Sequence, residues 1–420
     1  MSIYHNFGPL PCQPNPVPAQ IFLDIQRYIR YSEEIRQITM RTVCSRAMSD
    51  SPNSVTIDLS ALQHNFRQVK RLVGEHTRIM GVVKSDAYGH GMVPVSRSLE
   101  GCGVDCLGVA HVGEALDLRM AGIGCPIVIL YGVQTREEAG EVVDKDLVPV
   151  IFDLETARVL DQEAKRRGAR IRVRIKVDTG MGRLGIPHGE VEGFLGEMKL
   201  YGSLDIEGLI SHLSSADEMD GAFTRTQIRH FREAVRSGRS MGWILPRNSL
   251  SNSAGTMIHP DSHHDMVRPG IMLYGGLPSP GFQSPVSLKP VMCFRGKVLQ
   301  VRDLPDGTPV SYGRTYTTRG PQRVAVLSAG YGSGLPRSMS NRGMVLIGGK
   351  RVKIIGRVSM NLTMVCFEGQ EKVGPGDEAV FLGTQGQETI WGDEVALWAG
   401  TISYEIFCAV GQSNSRRYVK

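Results

Sequence analysis

The sequence predicts an α/β chain in which an N-terminal (β/α)8 barrel, of the TIM type, is followed by a mostly-β domain. Three observations carry this. From residue 55 onward, short apolar runs alternate with amphipathic helical stretches, the pattern of a parallel sheet. A Pro/Gly/Ser-rich connection, GLPSPGFQSP, then interrupts the chain after Tyr274. Beyond it helical periodicity nearly vanishes, and turn signals separate short strand-like runs. The length of 420 residues suits two domains with real apolar cores.

Residues 1–54 precede the regular pattern. Pro9, Pro11, Pro14, Pro16 and Pro18 exclude regular structure at the start, and Ile21 to Ile38 reads as an amphipathic helix. No cationic stretch leads into an apolar one, so a secretory signal is not expected. The segment reads either as a flexible extension or as sequence upstream of a later start at Met40 or Met48.

From Val55 to residue 289 the elements follow in order. VTIDL reads as a strand, with Ser60 capping a helix that places Leu62, Phe66, Val69 and Leu72 on one face. The barrel strands expected next are Ile79–Val83, Cys106–Val109, Ile127–Leu130, Val148–Ile151, Ile171–Val177, Leu204–His212, Asn248–Ser253 and Met266–Arg268. Amphipathic stretches such as Leu154–Arg167 and Phe223–Val235 lie between them. Eight strands over about two hundred residues favour a closed barrel over a doubly wound open sheet. Residues 290–420 form the expected β domain, with runs such as RVAVLS, RVKIIG and DEAVFLG and one helix near Glu394–Gly400.

Composition narrows the function. The net charge of +6 is mild and its basic residues are interleaved with acids, which argues against nucleic-acid binding. No apolar run is long enough to span a membrane. The eight cysteines form no C-x-x-C, and several sit in apolar strand-like runs such as MVCF and EIFC, which fits free thiols in a reducing cytoplasm. Cys102 with Cys106, and the histidines His259, His263 and His264, lack the matching ligands a metal centre needs, so no metal is expected.

In such a barrel the working face lies at the C-terminal ends of the strands, and polar residues gather there. VVKSDAYGHG puts Lys84 at the end of a buried strand, before a glycine-rich loop. Desolvation at such a position disfavours an ammonium ion, and a free amine can form a Schiff base with an aldehyde cofactor. Lys176, Asp178 and Arg183 follow the fifth strand in KVDTGMGRLGI, and His212 ends the sixth. Asn252 and Ser253 end the seventh; Arg268, Gly270 and Ile271 lie at and after the eighth. The turns after the last two strands are common phosphate sites, where Ser253, the backbone of Gly270 and Ile271, and the Tyr88 phenol could serve. Asn252-Ser253 alone reads equally well as a plain helix cap. Gly180 to Gly185 matches G-x-G-x-x-G, but a helix stands where a ribose-binding acid would be needed, so it reads as a tight turn presenting Arg183. Arg172, Arg174 and Lys176 alternate with Ile171, Val173 and Ile175, which is strand alternation.

Together VVKSDAYGHG, KVDTGMGRLGI, SHLSSADE, SNSAGTM, VRPGIMLYGG, VSYGRTY, GRVSMN and ISYEI resemble the pyridoxal-phosphate-dependent alanine racemases, in family order, from about Val55 to the C-terminus. The resemblance implies a homodimer whose active sites are completed by the partner's β domain, and a cytoplasmic enzyme interconverting L- and D-alanine for peptidoglycan. It implies that Lys84 holds pyridoxal 5'-phosphate and is one of two acid/base groups, the other being Tyr312. It implies Arg268 at the pyridine nitrogen, His212 linked to Arg268 and the tyrosine, and Arg183 on the substrate carboxylate. Lys176 matches a lysine often carbamylated in the family. Tyr88, Ser253, Gly270, Ile271 and Tyr404 match phosphate contacts, Met360 a substrate contact, and Tyr331 with Tyr404 the access corridor. The family commonly has aspartate after the methionine, where this chain has Asn361, so a broad-specificity or serine racemase stands as the alternative. A non-catalytic pyridoxal-phosphate carrier on the same barrel lacks the β domain and its tyrosine. A decarboxylase of the same architecture needs a cysteine and an acid toward the ring nitrogen, where Arg268 stands.

Overall fold

The computed structural model describes residues 51–369 and 372–420. The expectations for residues 1–50, including the helix at Ile21–Ile38, Cys12, Cys44 and the possible starts at Met40 and Met48, lie outside the described residues.

The first strand, β1 (Ser54–Asp58), does not join the barrel. It pairs antiparallel with a strand of the second domain, Val55 opposite Phe294, and parallel with Arg416–Val419, Ile57 opposite Tyr418. Val55 and Ile57 bury their side chains there, so the chain begins in one domain's sheet before building the other. The helix that follows, Leu59–Val73, is capped by Asp58 rather than Ser60. The Asp58 carboxylate accepts from the N–H of Ser60 (2.8 Å) and of Ala61 (2.9 Å), satisfying donors that no helical turn can reach.

The barrel is closed. Its strands are β2 (Arg78–Val82), β3 (Cys106–Val109), β4 (Ile127–Ile129), β5 (Val148–Ile151) and β6 (Ile171–Asp178), each parallel to the next. A two-residue strand, β7 (Ile186–Pro187), flanks β6, which also pairs with β8 (Leu204–Ile210). The expected strand at 248–253 is reduced to bridges from Ser249 to Ile210 and to Met266. It ends early because Asn252 turns to cap the short helix Ser253–Ile258. β9 (Met266–Val267) then pairs with β2 and completes the ring of eight. Met80, Cys106, Val128, Val148, Val150, Ile210 and Met266 pack together as a core of their own.

The second domain is built on β10 (Met292–Leu304), which pairs with Gln322–Leu327 on one side and Glu378–Gln385 on the other. Through Thr363–Cys366, Lys350–Ile355 and Met344–Ile347 the antiparallel strands return to Glu378–Gln385, so this sheet also closes on itself. The helix expected near Glu394–Gly400 spans Gly392–Ala399. EIFC is not a strand: it lies in a second helix, Ser403–Ser413, which buries Ile406, Phe407 and Val410 at helical spacing. Among the described residues no helix is long and apolar enough to cross a membrane.

Candidate active site

The loop after β2 is conformationally extreme. Ser85, Asp86, Ala87 and Tyr88 all have φ between 53° and 55°, a full left-handed turn of non-glycine residues. Each such residue costs about 1–2 kcal/mol, and the surroundings must hold it. Glu114 Oε1 accepts from Ser85 N at 2.6 Å, and Asp86 Oδ1 accepts from Met92 N at 2.7 Å. Asp86 is ion-paired with Arg416, which also donates to Gly89 O at 2.9 Å. Buried His90 lies with Nδ1 3.1 Å from Ala87 O and 3.0 Å from Tyr88 O, so that nitrogen carries the proton. A Cβ on Gly89 would fall 2.3 Å from Phe407 O, so only glycine lets the loop seat against the last helix. The sequence gives no local sign of Glu114, His90 or Arg416 as anchors; the last is 330 positions away from its partner.

Lys84 emerges at the start of this turn, half-buried, and its Nζ donates to Tyr131 Oη at 3.4 Å. It faces a cavity of about 360 Å³ at the C-terminal ends of the barrel strands. Tyr88, Lys176, Arg183, His212, Asn252, Ser253, Arg268, Gly270, Ile271 and Tyr404 share that lining with it. Tyr131, two residues after β4, and Cys408 line it too and were not foreseen; neither carries a sequence signal beyond its place after an apolar run or within a helix. Among the described residues that line it there is no aspartate or glutamate.

Electrostatics follow from burial. Arg268 is 4% exposed and donates to Ser249 Oγ at 2.6 Å, Leu250 O at 3.2 Å and Ser211 O, with His212 Nδ1 at 3.2 Å. All of these acceptors are neutral. Burial, with Arg174 behind it, pushes the Arg268 pKa down to about 9. Burial, then the charges of Arg268 and Arg183, holds the Lys176 pKa well below the lysine norm. Burial with Arg268 and Lys176 does the same to His212 and keeps the imidazole neutral. Asp178 shapes the turn that bears Arg183: its Oδ1 accepts from Gly180 N and Met181 N at 2.8 Å each. Burial opposes its ionisation, but these bonds and that of Gly182 N outweigh it and hold the carboxyl below the usual range.

The phosphate-cradle residues also meet. Ser253 Oγ accepts from Gly270 N at 3.0 Å, joining the turns after the seventh and eighth strand positions. Asn252 is spent on structure, accepting from Gly255 N at 2.9 Å and donating to Leu213 O at 3.2 Å. The Tyr88 ring lies 4.9 Å from that of Tyr274 and 5.7 Å from that of Tyr404. A Cβ on Gly270 would sit 2.4 Å from Tyr88 Oη, so the glycine keeps this corner open. A primary amine, a guanidinium, a hydroxyl and a phenol around a cavity without carboxylates form a donor set that fits an aldehyde cofactor bearing a phosphate.

Tyr312, Tyr331 and Met360 do not reach this cavity. They sit on loops of the second domain, 71%, 43% and 57% exposed. Those loops are tied together: Tyr331 N donates to Ser359 O at 3.0 Å, Gly332 N to Met360 O at 2.7 Å, and Ser311 Oγ to Arg357 O at 2.6 Å. Ser311 and Arg314, on either side of Tyr312, have φ of 62° and 48°, a second strained turn. The histidine-rich loop is structural: His259 Nε2 and His263 Nε2 face the carbonyls of Ala216 and Thr256, each at 3.0 Å.

Residues 57–278 match the family model of the alanine racemase N-terminal domain, and residues 291–418 that of the C-terminal domain. The chain is 43% identical over 364 residues to an alanine racemase of Syntrophobacter fumaroxidans, covering 87% of this chain and 96% of that one. Its fold matches the crystal structure of alanine racemase from D-cycloserine-producing Streptomyces lavendulae, with a TM-score of 0.83 and 32% identity over 89% of this chain and 98% of that one. It also matches alanine racemase from Bartonella henselae with covalently bound pyridoxal phosphate, with a TM-score of 0.78 and 28% identity over 87% of this chain and 99% of that one.

Proposed function

The chain belongs to the alanine racemase family, and from that premise we propose that it interconverts L- and D-alanine with pyridoxal 5'-phosphate held by Lys84. The observation that carries this reading is the convergence of Lys84, Arg268, His212 and Ser253 on one cavity without carboxylates. Bound there, the cofactor withdraws electrons from the substrate α-carbon and makes its proton removable.

The chain's own residues supply the rest. Ser253, Tyr88, Tyr404 and the backbone at Gly270 and Ile271 hold the phosphate. Arg268 would face the ring nitrogen as a hydrogen-bond donor that keeps its own proton, and so would leave that nitrogen unprotonated and limit side reactions such as transamination. Arg183 binds the substrate carboxylate. Lys176, with its neutral amine favoured, can bond to carbon dioxide and release one N–H proton to solvent, giving a carbamate whose negative charge fixes Arg183.

Racemisation removes a proton from one face of the α-carbon and returns one to the other, so two acid/base groups are needed on opposite sides. Lys84 is one and Tyr312 the other. The exposed cluster of Tyr312, Tyr331 and Met360 supports delivery of Tyr312 by a second copy of the chain in a homodimer, with Met360 at the substrate and Tyr331 in the access corridor. The product D-alanine suits supply of peptidoglycan in the cytoplasm.

A broader amino-acid range, serine included, is the second reading, and Asn361 favours it. It follows Met360, and its Oδ1 lies 3.0 Å from the Cβ position of Gly332, beside the Tyr331 turn. The deciding experiment is a panel of L-amino acids incubated with the cofactor-loaded enzyme and assayed for D-enantiomer. Alanine turning over fastest supports the first reading. A preference for serine supports the second, and no racemisation of any amino acid overturns both.

A further inference from the structure

Arg174 lies in β6 two residues before Lys176, 1% exposed and outside the cavity lining. Its partners are poor for a buried charge. Nη1 donates to Met266 Sδ at 3.2 Å, a weak acceptor. Nε has no hydrogen-bond partner and stands 3.6 Å from Glu207 Oε2. Glu207 is shared, at 3.6 Å with Arg247 and at 3.7 Å with Arg172, which is itself held at 2.8 Å by Asp146, so Arg174 has no carboxylate to itself. Cys106, whose thiol burial keeps protonated, offers no counter-charge. Packing alone does not call for a cation here, and burying one so incompletely paired is costly.

A short relay leads from Arg174 to the active site. Met266, which takes the Arg174 hydrogen bond on its sulfur, accepts on its backbone oxygen from Ser249 Oγ at 2.8 Å. That same Ser249 Oγ accepts from Arg268 Nη1 at 2.6 Å. Arg268 has only neutral acceptors, and Arg174 is the charge that, after burial, most weakens its hold on its proton. Two guanidinium groups thus follow one another toward the cavity with no acid between them in this relay.

We propose that Arg174 is a positioning residue for the reaction, acting through Arg268: its charge makes Arg268 a stronger hydrogen-bond donor and adds positive potential behind the anionic cofactor. This rests on the reading that Arg268 meets the ring nitrogen. Removing the charge would weaken capture of the anionic cofactor and slow removal of the substrate α-proton.

The test uses the full-length enzyme with Arg174→Met, Arg174→Lys and Glu207→Gln, each also combined with Arg268→Gln. Apo-enzyme is titrated with pyridoxal phosphate, and the holoenzyme gives kcat, KM and the pH profile of kcat/KM for alanine. Arg174→Met is expected to weaken cofactor affinity and lower kcat, each about tenfold, with little change in KM. The acidic limb of its profile moves to higher pH, because losing a cation favours protonated groups. Arg174→Lys restores all three. Glu207→Gln removes the offsetting acid and moves affinity and the acidic limb in the opposite direction, and it carries the test alone if Arg174→Met does not fold. In the Arg268→Gln background the Arg174→Met loss in kcat disappears. A folded Arg174→Met with wild-type affinity, kcat and profile overturns the proposal, as does a loss in kcat that persists undiminished beside Arg268→Gln. So does an unmoved Glu207→Gln where Arg174→Met fails to fold. Arg268→Gln alone with unchanged affinity and kcat overturns the assignment of Arg268 and this inference with it.

Discussion

His212 Nδ1 accepts a hydrogen bond from Arg268 Nη2 at 3.2 Å, and because a guanidinium has only donors, the imidazole nitrogen facing it carries no proton. Burial and the surrounding cations point the same way. His212 is therefore a neutral acceptor that fixes the arginine's plane. Its ring is expected not to titrate between about pH 6 and 8, which histidine NMR of the wild type against His212→Gln checks. His212→Leu should lower kcat roughly 10- to 100-fold while the enzyme still binds the cofactor; a wild-type kcat would remove His212 from the network.

Lys84→Ala should abolish the absorbance near the visible edge that accompanies covalent attachment of the cofactor, along with racemisation. Tyr131 Oη, the hydrogen-bond partner of Lys84 Nζ, cannot replace an amine in that bond. A variant that keeps the wild-type spectrum would refute the assignment of Lys84.

Gly270→Ala should weaken cofactor affinity roughly tenfold or more, because the added methyl would lie 2.4 Å from Tyr88 Oη and 3.0 Å from its Cζ, in the corner assigned to the phosphate. Titration of the apo-enzyme with pyridoxal phosphate measures it. The double variant Gly270→Ala with Tyr88→Ala should lose less than the two single losses combined, because the methyl then has no phenol to strike.

These residues show what sequence reading reaches. Strand alternation located the barrel, and the rule that its strands' C-terminal ends carry function brought Lys84, Lys176, His212, Ser253 and Arg268 to one face. Pairing between distant segments left no local trace. β1 sits beside the very end of the chain, and Arg416 braces the loop of Asp86. Tyr131 is one more aromatic after an apolar run until the fold places it on Lys84. The helix at Ser403–Ser413 escaped because EIFC looks alike in a buried strand and a buried helix; only the wider spacing of Ile406, Phe407 and Val410 separates them.

Acid should destabilise the fold through buried neutral histidines. Burial pushes the His90 pKa down to about 3 and that of His264 to about 4, against 6.5 for the free side chain. Below pH 6.5 the unfolded chain binds protons that the native state refuses, so stability falls as pH drops from about 6.5 toward those values, by up to about 1.4 kcal/mol per pH unit per histidine. Urea unfolding midpoints at about pH 8 and pH 5 measure the drop, and His90→Gln should shrink it. Equal drops in both proteins would show that His90 titrates normally.

Lys84 and Tyr312 are assigned to opposite faces of the α-carbon. The direct measurement is deuterium uptake at that carbon from L-alanine and, separately, from D-alanine, in heavy water with the Tyr312→Phe enzyme. With Lys84 intact, uptake from one enantiomer is expected to collapse while uptake from the other stays close to wild type. Equal, small losses from both would contradict it.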